Sequence, residues 1–407
     1  MGKCGPVLRV GVVGLGVAST NALPEIAAHP RVRLTAGADP RREAREAFAH
    51  MYVAEAYESA EALCASPRVD AVYILTPNRC HARHAILAAE CGKQVIVDKP
   101  MALTLEDCDA MIAAAARNGV RLLVGHSQGL DGPIVKMAEL VASGELGPRV
   151  MINTWFYSDW LYRPRGREEF EAGDAEGLVL RQGPPQVDIV RMLGGGLVHS
   201  VRAATRRADP ARPGPSSYVA YLEFEDGMPA TLVHSAAAHF DSSELTFGIS
   251  IAGLPVEPDA FARTRARWAS FASPAAEWAY KDALRFGGAQ AMLATDVATR
   301  SHAFFGLTIV SCAYGDVRQS PAGLLVYDDS GRREIMLPLG SKAAQRYTSM
   351  ELDLMYTAWV SDTPLAAYDG AWGKATLEVC LAIQRSAEEH REILLAHQTP
   401  YRSFTLG

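Results

Sequence analysis

The stretch that most restricts the fold is "VLRVGVVGLGVAS", a short apolar run that ends in a glycine turn. Such a run reads as a strand buried on both faces, which is how strands of a parallel sheet look. Gly14 and Gly16 follow it, and Ser19 stands where the third glycine of a G-x-G-x-x-G pattern falls. A small residue there still lets the next helix pack closely. The next apolar run, "VRLTAGAD", ends in Asp39, about twenty residues on, where a carboxylate can accept hydrogen bonds from both ribose hydroxyls of an adenosine. Gly14, Gly16, Val17 and Asp39 therefore form a candidate dinucleotide site. Arg41 and Arg42 could receive a 2′-phosphate, which keeps NADP open. Asp39 favours NAD, because a carboxylate repels that phosphate.

The alternation continues. "RVDAVYILTPN" is a strand ending at Thr76, Pro77 and Asn78, and "CHARHAILAAECG" is a helix. "KQVIVDKP" is a strand ending at Asp98, Lys99 and Pro100; "TLEDCDAMIAAAARNG" is a helix with Thr104 as its cap. "VRLLVGHS" is a sixth strand. Strand–helix repetition of this kind predicts an α/β fold with a doubly wound parallel sheet. Ligands of such sheets bind beyond the carboxyl ends of the strands. Gly14, Asp39, Thr76, Lys99 and His126 all fall there. Lys99 sits between a buried strand and a proline, so it is stiffly held. Partial burial and an oxidised nicotinamide nearby would lower its pKa, making it a proton acceptor for a substrate hydroxyl as hydride leaves.

The 407 residues suit two units better than one core. A division at 128/129 separates the cofactor-binding part, 1–128, from a substrate-binding and oligomerisation part, 129–407. The net charge of −6 gives no support to a general nucleic-acid or membrane-surface role. Seven scattered cysteines without a C-x-x-C pair read as free thiols of a reducing cytoplasm. No apolar run approaches the roughly 18 residues of a membrane span, and no secretory signal is read at the start, so a cytoplasmic protein is expected.

The segments "GVVGLG", "TPNRCHARHAILAAECGKQVIVDKP" and "LLVGH" resemble the glucose–fructose oxidoreductase / inositol dehydrogenase (Gfo/Idh/MocA) family. "LYRPR", "QVDIVRMLGGG", "HFDSSELTFGI", "RQSPAGLLVY" and "WGKATLEVCLAI" look like its phthalate 4,5-cis-dihydrodiol dehydrogenase-like branch. The resemblance implies an N-terminal Rossmann domain and a C-terminal α/β domain on a large, open, mostly antiparallel sheet whose outer face often makes dimers. A homodimer or homotetramer is expected. Gly14, Gly16, Asp39, Thr76, Asn78, His81 and Lys99 match the cofactor-side pattern, with Asp98 in place of the usual Glu. The family's Asp and His at the second domain's helix entrance are Gln182 and Pro185 here, while the later Asp188 matches. His126 matches the branch, but Gln128 and Ala237 depart from it.

In the second part, "VMINTWFYSDWLYRPRGREEF" begins as a strand and ends in a basic loop. Arg163 and Arg165 lie near Trp155, Tyr157, Trp160 and Tyr162, and Arg181 lies beside Gln182. Arginine forks grip carboxylates at two points, and aromatic faces suit a flat ring. The set predicts a pocket for an anionic ring substrate; the alternative is a solvated loop paired with Glu168, Glu169 and Glu171. His234, His239 and Asp241 fit no standard ligand spacing, so no metal is expected; strand-face histidines satisfied by neighbours fit better. The stretch 255–300 reads as a flap, a docking arm for a second subunit, or a disordered insertion.

"VLRQGPPQVDIVRML" reads as a helix whose entrance holds Gln182, Gly183, Pro184 and Pro185. Pro185 can neither take a proton nor donate a hydrogen bond. Proton transfer then falls on Lys99, with Asp188 orienting the substrate or Lys99, and with His126, Gln128, Gln182 and Gln186 as substrate contacts. The leading expectation is an NAD(P)-dependent dehydrogenase of a ring secondary alcohol, such as a cis-dihydrodiol of an aromatic carboxylate. Two alternatives stay open. One is altered chemistry on the same cofactor: a polyol or aldehyde-hydrate substrate, or internal redox cycling. The other is a non-catalytic dinucleotide sensor.

Overall fold

The computed structural model describes residues 5–125, 127–171, 177–212, 214–292, 301–339 and 347–404. Its first half alternates as the apolar runs demand: β1 (Leu8–Val13), α1 (Ser19–Ala28), β2 (Val32–Ala38), α2 (Arg42–Tyr52), β3 (Glu55–Tyr57), α3 (Ala60–Cys64), β4 (Ala71–Ile74), α4 (His81–Glu90), β5 (Gln94–Asp98), α5 (Leu105–Arg117) and β6 (Leu122–Gly125). The strands form a parallel six-stranded sheet in the order β3-β2-β1-β4-β5-β6. Every residue of β4 and β6 is buried, so neither strand alternates in polarity. Thr104 caps α5 as expected, its hydroxyl accepting the Asp107 N–H at 3.1 Å.

The chain then runs through α6 (Gly132–Ser143), β7 (Arg149–Tyr157), α7 (Arg167–Glu171), α8 (Leu178–Gly194), β8 (Val198–Arg206), β9 (Ser217–Phe224) and β10 (Pro229–Ser235). After α9 (Ala260–Ala269) and α10 (Pro274–Ala283) come β11 (Leu307–Cys312), β12 (Gly315–Ser320), β13 (Gly323–Asp328) and β14 (Gly331–Met336). α11 (Tyr347–Ser361), α12 (Gly370–Glu389) and β15 (Ile393–Leu394) close the fold. The second sheet has nine strands, β14-β13-β12-β11-β7-β10-β9-β8-β15, and only β7 and β10 pair in parallel. Its strands alternate: Tyr218, Ala220 and Leu222 of β9 are buried, whereas Val219 and Tyr221 between them are 55% and 41% exposed. One face thus packs under helices and the other lies open.

We propose 128/129 as the division between the two parts. The later helices nevertheless return to the first sheet. The Tyr368 carbonyl accepts the Val124 N–H at 2.8 Å, and Tyr73 donates its hydroxyl to Glu351 of α11.

The stretch 255–300 is described over 255–292. It folds onto its own chain through α9, α10 and Phe286, whose ring packs against Tyr52 at 6.3 Å and Phe48 at 6.5 Å. Its backbone N–H donates to the Gly16 carbonyl at 3.3 Å. Residues 293–300 lie outside the described set.

Candidate active site

β1 delivers the glycine turn. Gly14 has φ +96°, and a Cβ there would come within 2.7 Å of the Leu75 carbonyl, so only glycine fits. A Cβ on Gly16 would meet nothing within 4 Å, so the turn faces open space. The Ser19 hydroxyl donates to the Gly16 carbonyl at 2.8 Å and closes the turn from behind. α1 has no side-chain cap and no acid in its first turn, which leaves its start suited to an anion. Val17 is part-exposed at the same place.

Asp39 is buried, its Oδ2 taking the Leu15 N–H at 2.9 Å and its Oδ1 the Arg41 N–H at 2.9 Å. The Arg41 side chain adds Nε on Oδ1 at 3.0 Å and Nη2 at 3.4 Å from Oδ2, so a ribose hydroxyl would take the place of an Arg41 side-chain contact. This turn, helix start and carboxylate fit a dinucleotide. Arg41 is drawn in, with Nε 3.0 Å from Asp39 and Nη2 2.5 Å from the Leu15 carbonyl. Arg42 pairs with Glu46 on the exposed face of α2.

The other strand ends meet beside this cradle. His81 is buried, its Nδ1 lying 2.8 Å from the Pro100 carbonyl and its Nε2 2.9 Å from the Thr76 carbonyl. Both ring nitrogens thus face carbonyls at the ends of β4 and β5, which turns the ring inwards. Thr76 stands 3.1 Å from His84 Nδ1, and Asn78 begins a part-exposed short turn. Asp98 accepts the Lys99 N–H at 2.9 Å, and the Lys99–Pro100 peptide is cis.

Lys99 reaches from the first sheet to α8. Its Nζ donates to the Arg181 carbonyl at 3.0 Å. Burial pushes the ammonium below the ordinary lysine range; Asp98 works against that, and Arg181 adds to it. The expectation that Gln182 to Pro185 form a helix entrance is also corrected. α8 begins at Leu178, so both prolines lie inside it, in its second turn. Gln182 is part-exposed beside Lys99's acceptor residue.

The arginines divide. Arg163 is half-exposed and paired with Asp159 in its own loop at 2.8 Å, so it does not enter the site. Arg165 is buried: Nη2 donates to the Trp160 carbonyl at 2.7 Å, and the guanidinium lies 3.5 Å from the Trp160 ring centre. Arg181 remains part-exposed and pairs with Glu169 at 2.7 Å. Glu169 in turn faces Arg165 at 3.4 Å and accepts the Gly166 N–H at 2.7 Å, with Lys281 of α10 near enough to act on it. Three cations thus share one buried carboxylate, and burial lowers Lys281 below the ordinary lysine range. In the sequence Glu169 stands out only as a pairing partner of the loop arginines, and Lys281 does not stand out. The pairing of Arg165 with Glu169 at i,i+4 was the available signal.

Two expectations on α8 are corrected: Gln186 as a substrate contact, and Asp188 as a group orienting the substrate or Lys99. Gln186 is buried between helix and sheet: its Oε1 accepts from Tyr218 at 2.6 Å and its Nε2 donates to Thr154 at 3.2 Å. Asp188 is fully buried, with Oδ1 accepting from Trp372 Nε1 at 2.6 Å and Oδ2 from Tyr368 at 3.3 Å. A Cβ on Gly129 would lie 2.2 Å from Asp188, so this carboxyl backs the short turn Ser127–Leu130. Gln128, on that turn, keeps a buried Oε1 with no partner among the described residues. His126 lies outside the described residues. Tyr157 ends β7, its ring packed edge-on against Phe240 at 5.7 Å.

Burial raises Asp188 to about 7, against the opposing pull of Trp372, Arg191 and Tyr368. The folded protein therefore keeps a proton that the unfolded chain releases near its ordinary carboxylate value. Rising pH favours the state that releases it, so stability falls between that value and about pH 7. The slope is about 1.4 kcal/mol per pH unit from this group alone. Denaturant titrations across this window should show a shallower slope for Asp188→Asn; identical slopes count against the assignment.

The histidine expectation is corrected as well. His234 is buried among Phe156, Tyr218 and Phe305, and neither ring nitrogen has a partner among the described residues. Burial lowers it to about 3, so it packs as a neutral ring. Asp241 caps a short turn through the Ser243 N–H at 2.8 Å.

A dinucleotide cradle on a parallel sheet, with a lysine crossing to a helix of a second sheet, is the architecture of a nicotinamide-dependent oxidoreductase. The chain belongs to the Gfo/Idh/MocA oxidoreductase family. Residues 8–126 match its "oxidoreductase family, NAD-binding Rossmann fold" and residues 134–253 its C-terminal domain. A relative from Comamonas testosteroni, 1-carboxy-3-chloro-3,4-dihydroxycyclo hexa-1,5-diene dehydrogenase, is 33% identical over 92% of this chain and 94% of its own. A crystal structure from Bordetella bronchiseptica RB50 superposes with TM-score 0.88 at 34% identity, covering 96% of this chain and all of that one. Inositol 2-dehydrogenase of Salmonella typhimurium is 30% identical over 37% of this chain and 46% of its own. NAD is the family's cofactor, and the chain is an NAD(P)-dependent oxidoreductase. Among the described residues no helix is long and apolar enough to cross a membrane.

Proposed function

We propose that the protein oxidises a secondary alcohol on a ring that carries a carboxylate, in the manner of a cis-dihydrodiol of an aromatic acid. The observation that carries this reading is Lys99 on the Arg181 carbonyl, beside a group in which Arg165, Arg181 and Lys281 outnumber Glu169. Such an excess of positive charge favours an anionic substrate. The nicotinamide supplies the hydride acceptor when bound. Lys99 Nζ takes the hydroxyl proton as the carbinol hydrogen leaves as hydride, and the alcohol becomes a ketone. In a ring diene-diol that ketone shifts a proton to give a catechol. Arg181 holds the carboxylate, and Gln128 and Gln182 orient the ring. Asp39 receives the ribose, and its charge with the engaged Arg41 favours NAD over NADP.

The test is turnover with NAD⁺ of two ring cis-diols that differ only in a carboxylate, followed by NADH fluorescence. The carboxylated diol should have the higher kcat/KM by about tenfold, and Arg181→Met should remove most of that advantage. Equal values for the two diols overturn the carboxylate reading. Product formed without net NADH would replace simple dehydrogenation with internal redox cycling.

We also propose a homo-oligomer built on the open face of the second sheet, supported by the exposed Val219 and Tyr221. Sedimentation equilibrium should give at least a dimer at micromolar protein; a monomer there ends the idea.

A further inference from the structure

We propose that Pro185 is a positioning residue: by withholding the helical amide that Arg181 would otherwise bond, it turns the Arg181 carbonyl into the anchor for Lys99. In an α-helix the carbonyl of residue i accepts from the N–H of residue i+4. For Arg181 that residue is Pro185, which has no N–H. Lys99 Nζ donates to this same carbonyl at 3.0 Å. A charged or neutral amine can make that bond, so the anchor holds through the proton's arrival and departure. The inference rests on the reading of Lys99 as the proton acceptor.

The tandem proline supplies an internal control. Pro184 withholds an amide from the Leu180 carbonyl in the same way, but Leu180 is a buried apolar residue, and Lys99 donates to the carbonyl of Arg181 instead. If proline served only to kink or stiffen α8, the two positions would be equivalent. If the anchor matters, only position 185 should affect Lys99. The charged groups facing Lys99 are Asp98 from its own strand and Arg181 from α8, with Glu169 of α7 behind Arg181. None of these is altered by changing Pro185.

The experiment compares Pro185→Ala and Pro184→Ala with the wild type. Alanine is at home in a helix, so both variants should fold with melting temperatures at or above that of the parent. In Pro185→Ala the new N–H competes with Lys99 for the Arg181 carbonyl. Loss of that acceptor disfavours the ammonium, and the side chain leaves its position. We expect kcat to fall about tenfold with NADH affinity unchanged, and the acid limb of kcat/KM to move to lower pH. Pro184→Ala should match the wild type. A second readout needs no cofactor or turnover: reductive methylation of the apo protein, read by mass spectrometry, should label Lys99 several times faster in Pro185→Ala only. Unchanged labelling with an unchanged pH profile overturns the anchor, as does an equal effect of the two alanines. Lys99→Met separates the two ideas. If it keeps its rate, the proton-acceptor reading fails; if it loses its rate while Pro185→Ala behaves as wild type, only the anchor fails.

Discussion

Lys99→Met should lower the rate of hydride transfer by about a thousandfold while leaving NADH affinity within about twofold. Methionine keeps the length and apolar stem of lysine but has no proton-accepting nitrogen. General-base groups contribute about a hundredfold to ten-thousandfold. The affinity should survive because the cradle is built elsewhere, from Gly14, Gly16 and Asp39. Single-turnover stopped-flow measures the first quantity and fluorescence titration the second. A variant that keeps near-parental rates would remove Lys99 from the chemistry. The pH dependence carries a second check. Burial lowers Lys99, so in the wild type the acid limb of kcat/KM should lie below the range of an ordinary lysine.

Glu169→Gln should destabilise the protein by about 3 kcal/mol at neutral pH, the usual scale for removing one partner of a buried ion pair. Burial works to raise the Glu169 carboxyl, but Arg181, Arg165 and Lys281 outweigh it and hold the group down at about 2. The variant leaves the buried Arg165 guanidinium, already lowered to about 9 by burial, without that counter-charge. A carboxyl whose folded value is depressed contributes its stability above its ordinary value and loses it as pH falls towards about 2. The gap between parent and variant should therefore be full at neutral pH and shrink in acid. Denaturant melts at both pH values measure it, and a constant gap would mean that the charge is not what matters.

Much of the first sheet was legible because its strands are buried on both faces and its turns need particular residues. Gly14 is an example: its positive φ and its contact with the Leu75 carbonyl are consequences of a pattern already visible in the sequence. The substrate side was less legible. Arg163, Arg165 and Arg181 are equivalent as letters, yet one pairs within its loop, one is buried on Trp160, and one remains part-exposed beside Lys99. Gln186 and Asp188 were credible site residues by their place in the pattern. Helical phase turns them instead towards Tyr218 and Trp372. Only the packing partners of α8 fix which of its faces meets the cleft.

Pro185 shows the boundary most clearly. The sequence by itself determined that this position could neither move a proton nor donate to Arg181, because proline has no titratable group and no N–H. It equally determined the parallel sheet and its glycine turn, because local sterics and apolar runs act over a few residues. Only the tertiary structure decided what would stand opposite the Arg181 carbonyl. Lys99 lies 82 positions away in the chain, and no local rule relates them. Their meeting depends on how the second sheet and α8 settle against the end of β5, and that is set by burial summed over the whole molecule.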